Sequence, residues 1–277
     1  MFSFYDQFIL PFAWRWQQYR RLRFLRRNFK NGKELAANWL SKKPCDLAEG
    51  LDGVALRHPV GRAGLAGMIL EICFEQVYTG SFYKPKSGDL IIDAGANVGV
   101  FSLLIAKQEP SSRIYAFEPF EENYNTLNDN VSAAQVSNIQ TFRFALGGVS
   151  GNSEMIESQG RSQDHRIAES INQGGNSIQT LTFREVLELT CDKQVALFKC
   201  DIEGSEGELF SKAHRSDLEK VDRFAIEYHD NLRPGTSMLL SQILAPTHRI
   251  IRQKKDLSNA GYGMMYGVRK MGKKTEK

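Results

Sequence analysis

The chain has 277 residues, 42% of them hydrophobic and 25% charged, a composition that excludes wholesale disorder and supports one sizeable core. The formal charge of +4 is uneven: the first 43 residues hold ten Lys and Arg against only Asp6 and Glu34, so the rest of the chain is mildly acidic. A basic head on an acidic body excludes a uniformly basic nucleic-acid binder.

In residues 12–29, apolar side chains recur at Phe12, Trp16, Tyr19, Leu22, Phe24 or Leu25, and Phe29, with arginines on the other face. That spacing predicts a helix. Residues 31–62 give weak signals. Residues 64–79 read as a helix, with Leu65, Ile69, Ile72, Cys73, Phe74 and Val77 mostly on one stripe. Residues 85–89 form a turn cluster. From there strands and helices alternate. Short apolar runs predict strands over 90–93, 114–117, 139–145, 178–181, 195–199 and 222–227. Helical patterns fall over 98–107, 121–130, 183–190, 205–212 and 236–245. Glu121 and Glu122 sit where a helix dipole favours acids. Residues 147–176 are rich in Gly, Ser, Gln and Asn and read as a loop or irregular insertion. Residues 249–253 and 263–269 read as a closing strand pair, and 270–277 as a solvated tail. This alternation predicts an α/β fold around a mostly parallel sheet, with an antiparallel edge strand from the final pair. The expected organisation is a basic, aromatic-rich helical extension (1–63), one α/β domain (64–270) and a tail (271–277).

The four cysteines form no C-x-x-C pair, and the five histidines form no H-x-x-x-H pair. Neither pattern assigns a metal, and free thiols in a reducing compartment are expected. No apolar run reaches the roughly 18 residues that a membrane-spanning helix needs. The positive charges of the N-terminus follow its apolar stretch, unlike those of a signal peptide. A cytoplasmic protein is expected.

The sharpest motif is Asp93-Ala94-Gly95-Ala96-Asn97-Val98-Gly99, between the first buried strand and a helix. Gly95 and Gly99 suit a tight turn beside a ligand. The loop lacks the second glycine of a dinucleotide fingerprint and the Gly-Lys-Ser/Thr of a phosphate loop. An acid at its head would repel phosphate but suits a ligand with a cationic amino acid end. Glu118, in Phe117-Glu118-Pro119, follows Asp93 by 25 residues, near the offset of roughly 20 at which an acid meets a ribose diol. A nucleoside joined to a cationic amino acid is S-adenosylmethionine (SAM). Taken singly, each piece also reads as a turn glycine or a surface acid.

Five segments carry a resemblance: LIIDAGANVGVFSLLIA (90–106), YAFEPFEENYNTLNDN (115–130), FALGG (144–148), LFKCDIEGSEGELF (197–210) and AIEYH (225–229). The lead-in EICFEQVYTGSFYKPKSGD (71–89) adds to it. Together they resemble the FkbM-type family of SAM-dependent methyltransferases. The resemblance implies the class I methyltransferase (Rossmann-like) fold, with a seven-stranded, mostly parallel sheet. It also implies cofactor contacts at Asp93, Gly95, Asn97, Gly99 and Glu118, with Ala145 and Leu146 near the adenine. Thr180-Leu181-Thr182 departs from the T-L-D common in the family, so no role is assigned to an acid there.

Two strand-end clusters suit the transfer chemistry. Lys199-Cys200-Asp201-Ile202-Glu203-Gly204 ends one strand, and Asp201 and Glu203 share a side if the chain stays extended. Glu227-Tyr228-His229 ends the next. A hydroxyl acceptor benefits from a base. Asp201, Glu203, Glu227 and His229 are therefore the candidate catalytic residues, with His229 first for its near-neutral pKa. Alternatively Asp201 and Glu203 order their loop or meet the cofactor's amino end, and His229 satisfies a loop. No Asn-Pro-Pro-Tyr/Phe signature points to a base nitrogen. The resemblance implies O-methylation of a sugar in a glycan or glycolipid, or of a secondary metabolite. The rivals are an RNA or protein methyltransferase and a non-catalytic partner of a glycosyltransferase. The insertion at 147–176 reads either as an acceptor lid or as a surface loop. The basic segment in residues 1–30 lies on an anionic membrane face, packs on the body or, as a third and weaker reading, forms a basic patch for RNA.

Overall fold

The computed structural model describes residues 10–156, 166–167, 176–254 and 261–270. Helices α1 (Leu10–Asn28) and α2 (Gly32–Ser41) come first, then β1 (Leu47–Glu49) and β2 (Ala55–Arg57), paired antiparallel. Helix α3 (Leu65–Ile69) runs into a π-helical turn, Leu70–Phe74. The helix expected over 64–79 therefore ends early. Gln76 adopts a left-handed φ of 53°, which a continuing right-handed helix does not allow. Val77 and Tyr78 fall beyond this break, in a turn.

The body follows as β3 (Leu90–Ala94), α4 (Val100–Gln108), β4 (Arg113–Phe117), α5 (Glu121–Ala134), β5 (Ile139–Phe142), β6 (Ala145–Leu146), β7 (Gly151–Ile156), β8 (Arg166–Ile167), β9 (Asn176–Leu181), α6 (Phe183–Leu189), β10 (Leu197–Cys200), α7 (Glu206–Ser211), α8 (Arg215–Leu218), β11 (Arg223–His229), α9 (Thr236–Leu244), β12 (His248–Lys254) and β13 (Tyr262–Arg269). Seven strands form the main sheet in the order β12-β13-β11-β10-β3-β4-β5. The pairs from β11 to β5 are parallel, and β13 runs antiparallel between β11 and β12. The strand order reverses between β3 and β10. The carboxyl ends of those two strands are thus the switch point where ligands bind open α/β sheets.

Successive residues of a strand face opposite sides, and here both sides are core. Ile92, Phe117, Phe198 and Phe224 join one apolar cluster, while Ile91, Ile114, Leu197 and Ala225 join the other. On the first side, the rings of Phe183, Phe198, Phe210 and Phe224 pack with centroids 5.0 to 6.2 Å apart. Burial on both faces explains why these strands read as unbroken apolar runs.

Two expectations need correction. The strand expected over 139–145 divides after Phe142, and β6 leaves the main sheet to pair with β9. Part of the expected loop at 147–176 is strand. β7 pairs antiparallel with β9, Ser153 opposite Ile178, and the Thr180 hydroxyl donates to Ser153 Oγ at 2.7 Å. Residues 157–165 and 168–175, most of the proposed lid, lie outside the described residues.

The N-terminal extension is joined to the body by one apolar cluster. Leu25, Leu35, Ala36, Cys45 and Ala48 pack with Leu65, Met68, Ile69, Val98 and Val100. The described part of the extension thus shares this core with the α/β domain. The apolar stripe expected along residues 12–29 is split. Leu25 is fully buried, whereas Trp16 and Tyr19 are exposed. The four cysteines are free, with Cys191 at the surface. Among the described residues no helix is long and apolar enough to cross a membrane.

Candidate active site

Parallel pairing places Lys199 of β10 directly beside Asp93 of β3. Both side chains are buried, and Lys199 Nζ lies 3.0 Å from Asp93 Oδ1. The Ser102 hydroxyl donates to Asp93 Oδ2 at 2.6 Å. Lys199 also donates to the carbonyls of Gly95 (2.6 Å) and Ala94 (3.3 Å), so it ties the turn after β3 to β10. Burial alone would depress the Lys199 pKa, but the charges of Asp93 and then Asp201 outweigh it and hold the ammonium above the ordinary lysine range.

The turn itself has positive φ at Gly95 (76°), Asn97 (51°) and Gly99 (88°). A Cβ on Gly95 would stand 1.8 Å from the Asp201 carbonyl oxygen. The two loops of the switch point therefore touch backbone to backbone. Just past β4, the buried Glu118 carboxylate accepts the N–H of Asn97 through Oε2 and that of Phe120 through Oε1, each at 2.9 Å. These bonds fix its plane and leave lone pairs on both oxygens. Burial pushes its pKa up to about 7, against the pull of the Phe120 and Asn97 amides. Ala145 and Leu146 are buried in β6, Leu146 in the apolar cluster with Phe117 and Phe183.

At the mouth, β10 ends at Cys200, and Glu203 has a left-handed φ of 50°. The chain is not extended there, contrary to the assumption that put Asp201 and Glu203 on one side. The turn nevertheless collects both. The buried hydroxyl of Tyr78 lies 2.8 Å from Asp201 Oδ2 and 3.0 Å from Glu227 Oε2. Burial and those two carboxylates push the Tyr78 pKa well up. His229 stands between two acids, Nδ1 2.9 Å from Glu206 Oε1 and Nε2 3.3 Å from Glu203 Oε2. Glu206 is fully buried and also accepts the N–H groups of Gly204 and Ile202.

Burial would lower the His229 pKa, but the hydrogen bond and charge of Glu206, with Glu203 and Asp201, raise it to about 10. These acids favour the doubly protonated imidazole. They act against the neutral form that a base requires. Burial, then Asp201, holds Glu203 well above the usual carboxylate range. One atom each of Asp201, Glu203 and His229 lies within 4.8 Å of the others, a set that could also coordinate a divalent cation.

The structure thus brings Asp201, Glu203, Glu227 and His229 together, beside the turn that holds Gly95, Asn97 and Gly99 and is anchored by Glu118. Tyr78 and Glu206 complete the mouth, and neither was singled out in the sequence. Asp93 is turned inward onto Lys199 and Ser102. The donor set fits SAM. Glu118 offers a fixed carboxylate to a ribose diol, and the acid-rich mouth suits a sulfonium and would repel a phosphate.

Glu118 supplies a pH test. Its folded pKa stands above the ordinary 4.5. Its contribution to stability is therefore complete below about pH 4.5 and is lost as pH rises through about 7. Ribose hydroxyls donate better to the ionised carboxylate. SAM affinity, followed by calorimetric titration, is expected to rise across that window and to flatten in Glu118→Gln. A rise that survives the substitution would assign it to another group.

The family model described as "Methyltransferase FkbM domain" matches residues 93–262, more than half of the chain. "Methyltransferase 1" of Beauveria bassiana (strain ARSEF 2860) is 28% identical over 185 residues, covering 58% of this chain and 72% of the relative. "Methyltransferase sdnD" of Sordaria araneosa is 34% identical over 65 residues, or 22% of this chain and 25% of the relative. Among solved structures, a fibrillarin/NOP5P complex aligns with a TM-score of 0.46 and 13% identity over 81% of this chain and 98% of that one. With its seven-stranded sheet, its nucleoside-type loop and the family-model match over residues 93–262, the chain belongs to the FkbM methyltransferase domain family and is a SAM-dependent methyltransferase.

Proposed function

We propose that the enzyme methylates a hydroxyl group, on a sugar of a glycan or glycolipid or on a secondary metabolite. The observation that supports this reading is the set of carboxylates at the ends of β10 and β11, beside the cofactor turn. SAM, when bound, supplies a methyl group on a sulfonium whose leaving group is a neutral thioether. The protein's task is then alignment and removal of the acceptor's proton. A sugar hydroxyl is a weak nucleophile, so a base in the transition state speeds its attack. The acids around His229 favour its protonated form, so of the four candidates we assign the role to Glu203. It is partly open to solvent, its affinity for a proton is raised by burial, and His229 at 3.3 Å orients it. Glu203→Gln is expected to lower kcat by about 100-fold or more while leaving SAM affinity close to wild type. Equal turnover by that variant on an identified acceptor would remove Glu203 from the role.

The acceptor class is tested by incubating the protein with methyl-labelled SAM and separated lipid, polysaccharide, small-metabolite, RNA and protein fractions. Label in the lipid, polysaccharide or metabolite fraction, released as a methyl ether, is the expected result. Label in RNA or protein would overturn the reading. So would tight SAM binding without transfer to any fraction, which would favour a non-catalytic partner.

A further inference from the structure

Among its described side chains, the first half of α1 is the exposed half. Residues 13–17 are all exposed, with Trp14 61% and Trp16 56% accessible, followed by Tyr19 at 52%. The second half is anchored. Leu25 is fully buried, Arg21 pairs with Glu75, and Arg20 and Arg21 lie over the rings of Phe74 and Trp39. The helix therefore overhangs the body at its N-terminal end. Trp16, Tyr19, Arg23, Arg26 and Arg27 recur at helical spacing on the side away from Leu25, and all five are exposed. The rings of Trp16 and Tyr19 stack on one another, centroids 5.6 Å apart. No acid occurs in the 19 residues of α1.

Large aromatic side chains left in water are unusual unless something covers them. Stacked Trp and Tyr beside arginines, with no acid, complement a surface that is apolar beneath and negatively charged above. We propose that this overhanging face of α1 docks the enzyme on a bilayer of anionic lipid, aromatic rings at headgroup level and Arg23, Arg26 and Arg27 on the lipid phosphates. The surface is separate from the active site, and the inference does not depend on the acceptor. A lipid-borne sugar would nonetheless be presented at such a membrane.

The test is flotation of the full chain with vesicles of phosphatidylcholine, alone or with about one third phosphatidylglycerol. Recovery with the anionic vesicles only, falling as salt is raised from about 0.05 to about 0.5 M, is expected. The double variant Trp16→Ala, Tyr19→Ala should bind at least about five-fold more weakly. Each of Arg23→Glu, Arg26→Glu and Arg27→Glu should lose about five-fold or more. Unchanged SAM titrations establish that these surface variants are folded. Equal recovery with neutral vesicles, undiminished binding by the variants, self-association that accounts for the exposed rings, or capture by duplex RNA in preference to vesicles would each overturn the proposal.

Discussion

Lys199→Met is expected to destabilise the folded chain by about 3–5 kcal/mol, measured by urea unfolding. The methionine fits the stem of the lysine, so packing loss is minor. What is lost is the cationic partner that Asp93, a carboxylate fully buried in the central strand, has among the described residues. An uncompensated charge in that position costs far more than the ion pair contributed. The Gly95 and Ala94 carbonyls lose a donor as well, so SAM affinity should fall with stability. The double variant Lys199→Met, Asp93→Asn should be less destabilised than the sum of the two single changes, because it removes both charges. Additive losses, or a Lys199→Met variant within about 1 kcal/mol of wild type, would mean that the pair is not what ties the two strands at this level.

Gly95→Ala should be the most damaging one-carbon change in the cofactor turn. The new Cβ would meet a backbone oxygen, that of Asp201 at 1.8 Å, with no flexible side chain to swing aside. The positive φ of 76° adds its own strain. The loops after β3 and β10 would have to part, and the expected result is a loss of SAM binding of about 100-fold or more, with destabilisation above about 3 kcal/mol. Gly61→Ala is the internal control. Its φ is nearly the same at 75°, but nothing lies within 4 Å of the added carbon, so it should cost only about 1–2 kcal/mol. Similar losses in the two variants would assign the effect to backbone strain and not to loop contact.

The α/β alternation from residue 90 onward is legible because buried parallel strands are short apolar runs bounded by turns. The acids of the site are legible for a related reason. Asp201, Glu203, Glu227 and His229 stand where such runs end, which in this architecture is the ligand side. Lys199 and Asp93 offered a sharper signal. A charge in the middle of LFKC and another in LIIDA is costly in a fully buried strand unless the two meet, and they are register partners. Tyr78 gave no such signal. It is 123 residues from Asp201 in sequence and reaches it only because the left-handed Gln76 ends a helix that apolar spacing would have continued. β7 was hidden by its polar composition, since backbone pairing with β9 needs no apolar alternation to mark it. The basic head was read as one amphipathic stripe. It is in fact a packed half and an overhanging half, a distinction that depends on where the body ends.

The placement of β13 has a consequence for the order in which the enzyme is made. β11, which bears Glu227 and His229, is flanked on its outer side by β13, with Tyr262 opposite His229, while β12 lies farther out although it precedes β13 in the chain. As the polypeptide is synthesised, β3, β4 and β10, which frame the cofactor turn, are all available early. The outer edge of the strand carrying the reactive acids is covered only by residues 262–269. The wall that carries the reactive acids is thus closed on its outer side by a strand that lies more than thirty residues farther along the chain than the acids themselves.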